Sequence, residues 1–458
     1  MSGSCKIYAE KNMNSEMVTE TPTKALLRFS LPLLAGSIFQ NLYNVFDTMI
    51  VGRMLGKEAL SAVGNSYVPM LIVNSVLLGV SSGISILVSQ SYGAQKQSGT
   101  QECIGSVHAI TAIVGTGLPI LALISGHWFF GAMNIPGDIL ETAMDYWKII
   151  AAGFPFSAIY NFYSAIIRAK GNSRLPVKIM GISCVTNVFL DLLFVGMFGL
   201  GIRGAAAATV ISQAIAAGMA VICLYCFDKA FFIVHPNLQR LLPILKLSVT
   251  GIIQNSASAV SMFFIQGLIN QYGVNAILAY TSAYKVESIL TIPAVNLGTA
   301  LCVFVGQNIG AKQIERTREG LKASFKIALF LCIIAISVIW LFAPTFMFLL
   351  VGNEKAIIEI GVKYLRIVSV TFPFCVSLYL LTNFLRGAGE VAYPLFNTIL
   401  ELSIRTILAF VLAEYIGFVG ILLCRPISFI ISTVSLSCRC LSKKWQRQRN
   451  QSSQSTVK

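Results

Sequence analysis

The chain has 458 residues, 55% hydrophobic and only 12% charged, with a net charge of +15. Soluble domains carry about 25% charged residues, and apolar runs of bilayer length, about 20 residues each, recur along the whole sequence, which excludes a separate soluble domain. The lysines and arginines sit in short loops between those runs and at the C-terminal end, the pattern of a membrane protein and not of a nucleic-acid-binding surface.

Residues 1–24 are polar and read as a cytoplasmic tail, with no cleavable signal peptide before the first apolar run. Twelve candidate spans follow at 25–51, 59–90, 103–125, 139–168, 175–197, 203–227, 241–271, 275–308, 320–347, 356–385, 393–414 and 417–441. The expected architecture is an all-α membrane protein of about twelve transmembrane helices in two pseudo-symmetric six-helix bundles. Its boundaries fall at 25–227 for the N-terminal lobe, 228–240 for a cytoplasmic linker, 241–441 for the C-terminal lobe and 442–458 for a basic cytoplasmic tail. With the N-terminus inside, most lysines and arginines lie on the inner side; the outer loops hold only Arg53, Lys57, Arg203 and Lys355. The charge rule therefore puts both termini in the cytoplasm.

The two bundles follow from an internal repeat. Tyr146, Ile149, Phe154-Pro155-Phe156, Arg168, Gly171 and Pro176 reappear 218 residues later as Tyr364, Ile367, Phe372-Pro373-Phe374, Arg386, Gly389 and Pro394. A second match, shifted by 217, pairs Gln90, Gly93, Ala94 and Glu102 with Gln307, Gly310, Ala311 and Glu319. The period covers six spans, so the halves share one orientation, as in transporters that rock two bundles about a central site.

In chain order, the polar residues inside the spans begin with span 1. Gln40, Asn44 and Asp47 form a stripe there on one helix face. Span 5 carries Ser183, Asn187 and Asp191 at intervals of four. Asp47, Asp191 and Thr209 of span 6 all lie within roughly 10 Å of the outer boundary, counting about 1.5 Å per residue. Ionisable groups at such depth mark functional sites. A desolvated carboxylate beside a second one can take up and release a proton; carboxylate, amide and hydroxyl oxygens together also suit Na⁺, so the coupling ion is a proton or Na⁺. The bland alternative is hydrogen bonding between neighbouring helices.

In span 8, Glu287 with Tyr280 and Tyr284 is a candidate lining of a substrate cavity that attracts cations, unless Lys285 neutralises the acid. Glu401 and Arg405, four apart in span 11, are expected to neutralise each other. Gly79-x-x-x-Gly83 fits close helix packing. The eleven cysteines are scattered and mostly inside apolar runs, so they read as small hydrophobes; Cys223-x-x-Cys226 lacks a second ligand pair, and the three histidines have no ligand spacing.

Over essentially its whole length the chain resembles the multidrug and toxic compound extrusion (MATE) family. The resemblance rests on Pro32, Asp47, Gly52 and Gly56-x-x-Ala59-Leu60. It continues in Gln90-x-x-Gly93-Ala94, Gln307-Asn308-x-Gly310-Ala311, Asn187, Asp191 and Gly204-Ala205-Ala206 followed by Thr209. The last group is similar to the DinF-like branch. The resemblance implies antiport at a bacterial plasma membrane: a proton or Na⁺ enters while a small organic, often cationic, compound leaves. It also implies that Asp47, Asn187, Asp191 and Thr209 form the cation site and that Pro32 lets the first helix bend. No cofactor is expected, the partners are the small organic substrates and membrane lipids, and the expected state is a monomer. A flippase for lipid-linked sugars shares the two-lobed plan, but its cavity should be strongly cationic, whereas the prominent intramembrane acids here are Asp47, Asp191 and Glu287. A membrane-embedded lipid transferase would need clustered His and Asp, and the sequence has no such constellation.

Overall fold

A computed structural model describes residues 16–95, 97–132, 137–227 and 236–442. The described residues hold helices and no strand. A single turn, Glu16–Thr19, precedes α1 (Pro22–Met54), α2 (Gly56–Gly93), α3 (Gln97–Ala132), α4 (Gly137–Ala169), α5 (Arg174–Asp191) and α6 (Gly201–Phe227). Then come α7 (Leu238–Asn270), α8 (Val274–Gly310), α9 (Ile314–Val351), α10 (Lys355–Val370), α11 (Phe372–Gly387), α12 (Ala392–Ile416) and α13 (Phe418–Leu441). Much of the expected linker, 228–235, lies outside the described residues, as do most of the two expected tails.

Among the described residues, 10 helices are long and apolar enough to cross a membrane, and the bent pair α10 and α11 raises the count to 11. The difference from the twelve spans expected is α1. Its 33 residues are long enough, but Gln40, Asn41, Asn44 and Asp47 dilute its hydrophobicity, the same residues that make it chemically interesting. The fold is an all-α, multi-span membrane fold.

Span 10 was expected as one helix and is instead broken, by 52°, at Thr371. Proline alone does not explain this. Pro155 and Pro373 are equivalent in the repeat, yet α4 runs on through Pro155. A proline removes one backbone donor and crowds the carbonyl four residues back. In the second half two hydroxyls add to the strain on the ladder: Thr371 Oγ1 donates to Val368 O at 2.8 Å and Ser369 Oγ to Arg366 O at 2.8 Å. The equivalent residues of α4, Ala151 and Gly153, have no hydroxyl.

The described residues divide into two compact units, residues up to Thr19 with those from Leu31 to Ile252, and Glu20–Ser30 with those from Ile253 onward. The first helix thus begins in the second unit and enters the first at Leu31, beside Pro32. Arg316, at the start of α9, donates to the Glu20 carbonyl, and the Glu20 carboxylate holds Lys24 at 3.1 Å and Arg28 at 3.2 Å.

In the first unit α4 is central, packing against α2, α3 and α6. Trp147 illustrates why: its ring meets Phe130 and Phe154 edge-on, and its Nε1 donates to Ala122 O at 2.9 Å, so the one polar atom of a buried indole is satisfied. The Gly79/Gly83 pair does serve close packing. A Cβ on Gly79 would lie 2.5 Å from Ile252 N, and one on Gly83 2.8 Å from Ile244 O. In the second unit α8 packs against α9, α10 and α11, and α12 against α13.

The backbone carries the repeat as well as the side chains do. Left-handed residues recur at equivalent places: Gly56 and Gly273 (φ 83° and 84°), Gln95 and Lys312 (54° and 61°), Gly171 and Gly389 (94° and 88°), Gly199 and Gly417 (64° and 63°). Each marks the turn after a helix.

Candidate functional site

The first unit gathers Asn187, Asp191 and Thr209 in its interior. The spacing of four puts Asn187 and Asp191 on one face of α5, turned to α6, against which α5 packs. All three are buried, Asp191 and Asn187 completely. With its amide turned to suit its neighbours, Asn187 donates to Asp191 Oδ2 at 3.0 Å and accepts from the Thr209 backbone N–H at 3.3 Å. Below them Ser183 Oγ donates to Ser212 O and Ser212 Oγ to Thr209 O, both at 2.8 Å. Asp191 Oδ1 has no hydrogen-bond partner among the described residues.

Asp47, half-buried on α1, is close enough for its charge to act on Asp191. The α1 helix is brought to α5 at Gly36, where an added Cβ would lie 2.9 Å from Val177 Cγ2. Two tyrosines complete the group. Tyr43, one turn before Asp47, meets the Thr209 hydroxyl and lies in the field of both acids; Tyr146 of α4 also lies in the field of both. Neither tyrosine was singled out from sequence as part of the site. Tyr43 had a signal, its position four residues from Asp47, and Tyr146 had another, its place in the repeat.

A further feature is not legible in the sequence. The α-helical part of α5 ends at Asp191, and the chain continues as a π-helical turn, Leu192–Met197. The bond from Phe198 N to Leu193 O, 2.9 Å, closes it. Such turns shift the following residues around the helix and occur often at functional sites. No basic side chain pairs with Asp47 or Asp191 among the described residues.

The remaining candidates separate from this group. Pro32 lies within α1. Gln40 and Asn44 are exposed on the same helix, and Asn44 O accepts from Thr48 Oγ1 at 2.7 Å. Tyr280, Tyr284 and Glu287 belong to the second unit, on α8. There the two tyrosine rings stack at 6.2 Å, and Tyr280 meets Tyr364 edge-on at 5.3 Å.

Lys285 is not the partner of Glu287. The acid is buried, and its Oε2 accepts from Arg425 Nη1 and from Tyr364 OH, both at 2.6 Å. Sequence spacing had no way to find Arg425, 138 residues away on α13. The Glu401–Arg405 pair forms as expected, at 3.8 Å; Ser428 adds a bond to Glu401 of 3.0 Å and Arg405 Nη2 donates to Ser261 at 3.0 Å.

The comparisons with known proteins converge. The MatE family model matches residues 32–193 and again 247–411, once in each half. The chain is 27% identical over 425 residues to a probable multidrug resistance protein, YoeA, of Bacillus subtilis, covering 89% of this chain and 91% of that one. A second, YpnP of Bacillus subtilis, is 26% identical over 421 residues, covering 90% and 93%. A solved multidrug resistance MATE family transporter of the MOP superfamily, in an outward-facing conformation, superposes with a TM-score of 0.87 at 23% identity, covering 94% of this chain and 98% of that one. The chain therefore belongs to the MatE family and is a secondary transporter, not an enzyme.

Proposed function

We propose that the chain is a cation-coupled antiporter of the DinF-like branch, exporting small organic, often cationic, compounds in exchange for a proton or Na⁺. The observation that carries this is the Asp47–Asp191 pair. Two carboxylates act on each other inside the membrane-spanning part of one unit, with no basic partner among the described residues and with amide and hydroxyl groups beside them. An uncompensated acid pair in such a place is costly, and a bound cation or proton relieves the cost. The ion that enters therefore changes the energy of the site by its own charge.

Asp47 brings α1 into that balance. A helix attached at its start to the second unit and at its acid to the first, with Pro32 near the changeover, bends where its hydrogen-bond ladder is already interrupted. Loading and unloading the acids then favours different shapes of α1, which is the differential interaction that coupling needs. In this reading α1 is the twelfth span, the two six-helix lobes at 25–227 and 241–441 alternate in access, and Glu287, Tyr280 and Tyr284 with Gln40 and Asn44 contribute to the substrate path. Both termini are cytoplasmic, the protein sits in the plasma membrane, and it works as a monomer. Efflux from proteoliposomes under separately imposed proton and Na⁺ gradients tests the reading: one gradient must drive export, and Asp47→Asn must abolish that drive.

A further inference from the structure

We propose that Arg425 is a built-in cation: its guanidinium stands in the second half of the chain where the exchangeable ion stands in the first. The second half then carries no coupling ion of its own, and ion exchange is confined to one site per chain. This rests on the reading of Asp47 and Asp191 as the ion site.

The tyrosine that repeats between the halves is the common anchor. In the first half Tyr146 lies in the field of Asp47 and Asp191, which have no basic partner among the described residues. In the second half its equivalent, Tyr364, donates to Glu287 Oε2 at 2.6 Å, and the same oxygen accepts from Arg425 Nη1 at 2.6 Å. The acids themselves are not equivalent. The positions matching Asp47 and Asp191 are Phe264 and Ala409, while those matching Glu287 and Arg425 are Met70 and Ala207. Each half thus has an acid of its own within reach of the shared tyrosine's field, in direct contact in the second half, and among the described residues only the second adds an arginine.

The guanidinium is held in place. Tyr284 lies 5.6 Å and Phe429 5.3 Å from it at ring centre, and Glu287 binds it from α8. The groups acting on the pair from adjoining helices are uncharged: Tyr280 on α8, Cys375 and Tyr379 on α11, and Tyr364 on α10. Glu401 and Arg405 on α12 form a pair of their own. A guanidinium stays charged throughout the physiological range and cannot leave. It satisfies Glu287 permanently, as Na⁺ or a proton would satisfy it only when bound.

The test uses purified full-length Asp47→Asn/Asp191→Asn protein, in which the first site is disabled. Its thermal midpoint is followed against Na⁺ at fixed pH and against pH at fixed Na⁺, alone and with Glu287→Gln, Arg425→Met or both added. With Arg425 present, the cation response should match that of the Glu287→Gln control. With Arg425→Met, Glu287 loses its counter-ion, and a cation binding the folded state should raise the midpoint by about 2 °C or more. Adding Glu287→Gln to Arg425→Met should remove that gain. A Glu287-dependent response with Arg425 intact overturns the proposal, and that arm needs no arginine variant to fold. A folded Arg425→Met protein without the gain overturns it too. Failure of the underlying reading looks different: the Asp47→Asn/Asp191→Asn protein would respond to cations as the unaltered chain does, whatever Glu287 contributes.

Discussion

Tyr146 and Tyr364 occupy one position in two half-chains, 218 residues apart; Tyr364 binds the buried Glu287, and Tyr146 lies in the field of Asp47 and Asp191. Their surroundings differ in charge. Around Tyr146 are two carboxylates without a basic partner among the described residues; around Tyr364 are one carboxylate and one guanidinium.

Removing the two hydroxyls should therefore have different consequences. Tyr364→Phe takes a 2.6 Å donor from a buried carboxylate and should destabilise the protein by about 1.5–3 kcal/mol, the range for bonds to charged groups. Tyr146→Phe should change stability by less and slow gradient-driven efflux more. Thermal unfolding and proteoliposome efflux on the same two preparations separate the cases; equal losses of stability would contradict the assignment.

The glycines of α2 offer a packing test. Gly79→Ala places a methyl group 2.5 Å from the Ile252 backbone, and overpacking of this kind costs about 1–3 kcal/mol. Gly64→Ala, in the same helix with nothing within 4 Å of the new atom, should be neutral or stabilising by up to about 1 kcal/mol. Unfolding midpoints of the two variants should move in opposite directions or differ clearly in size.

Orientation is open to labelling. In a cysteine-free background, a cysteine at the exposed Lys355 should react with an impermeant thiol reagent added outside intact cells. A cysteine at the exposed Gln313 should react only after the cells are opened. The reverse pattern would invert the topology.

How much of this was legible in the sequence differs from element to element. The repeat was, because turn glycines need the same backbone in both halves; the left-handed pairs Gly171/Gly389 and Gly199/Gly417 are the result. The grouping of Asn187, Asp191 and Thr209 was also legible, since helical spacing and depth place side chains well along a membrane normal. The break at Thr371 was not, because it turns on the hydroxyls of Ser369 and Thr371 as much as on the shared proline. Arg425 was hidden for a different reason. Which helix lies beside Glu287 is a matter of tertiary packing, and periodicity along one chain segment carries no information about it. The π turn after Asp191 has no sequence rule at all.

Pro32 should matter to motion and little to folding. Pro32→Ala restores a backbone donor within α1, which favours a straight helix. Expression and unfolding midpoint should be maintained or raised, while efflux falls by about tenfold or more, the cost of disfavouring one of two required shapes by about 1.4 kcal/mol. Unchanged efflux would remove Pro32 from the coupling step.

The most direct measurement is efflux of an organic cation from proteoliposomes containing Asp47→Asn or Asp191→Asn, under a proton gradient and, separately, a Na⁺ gradient. Each substitution keeps the size of the side chain and removes its charge. Both variants should insert and remain folded, each should lose gradient-driven efflux, and Thr209→Ala, which removes one neutral oxygen, should lose less. Normal rates in both acid variants under both gradients would contradict this and move the coupling site elsewhere in the chain.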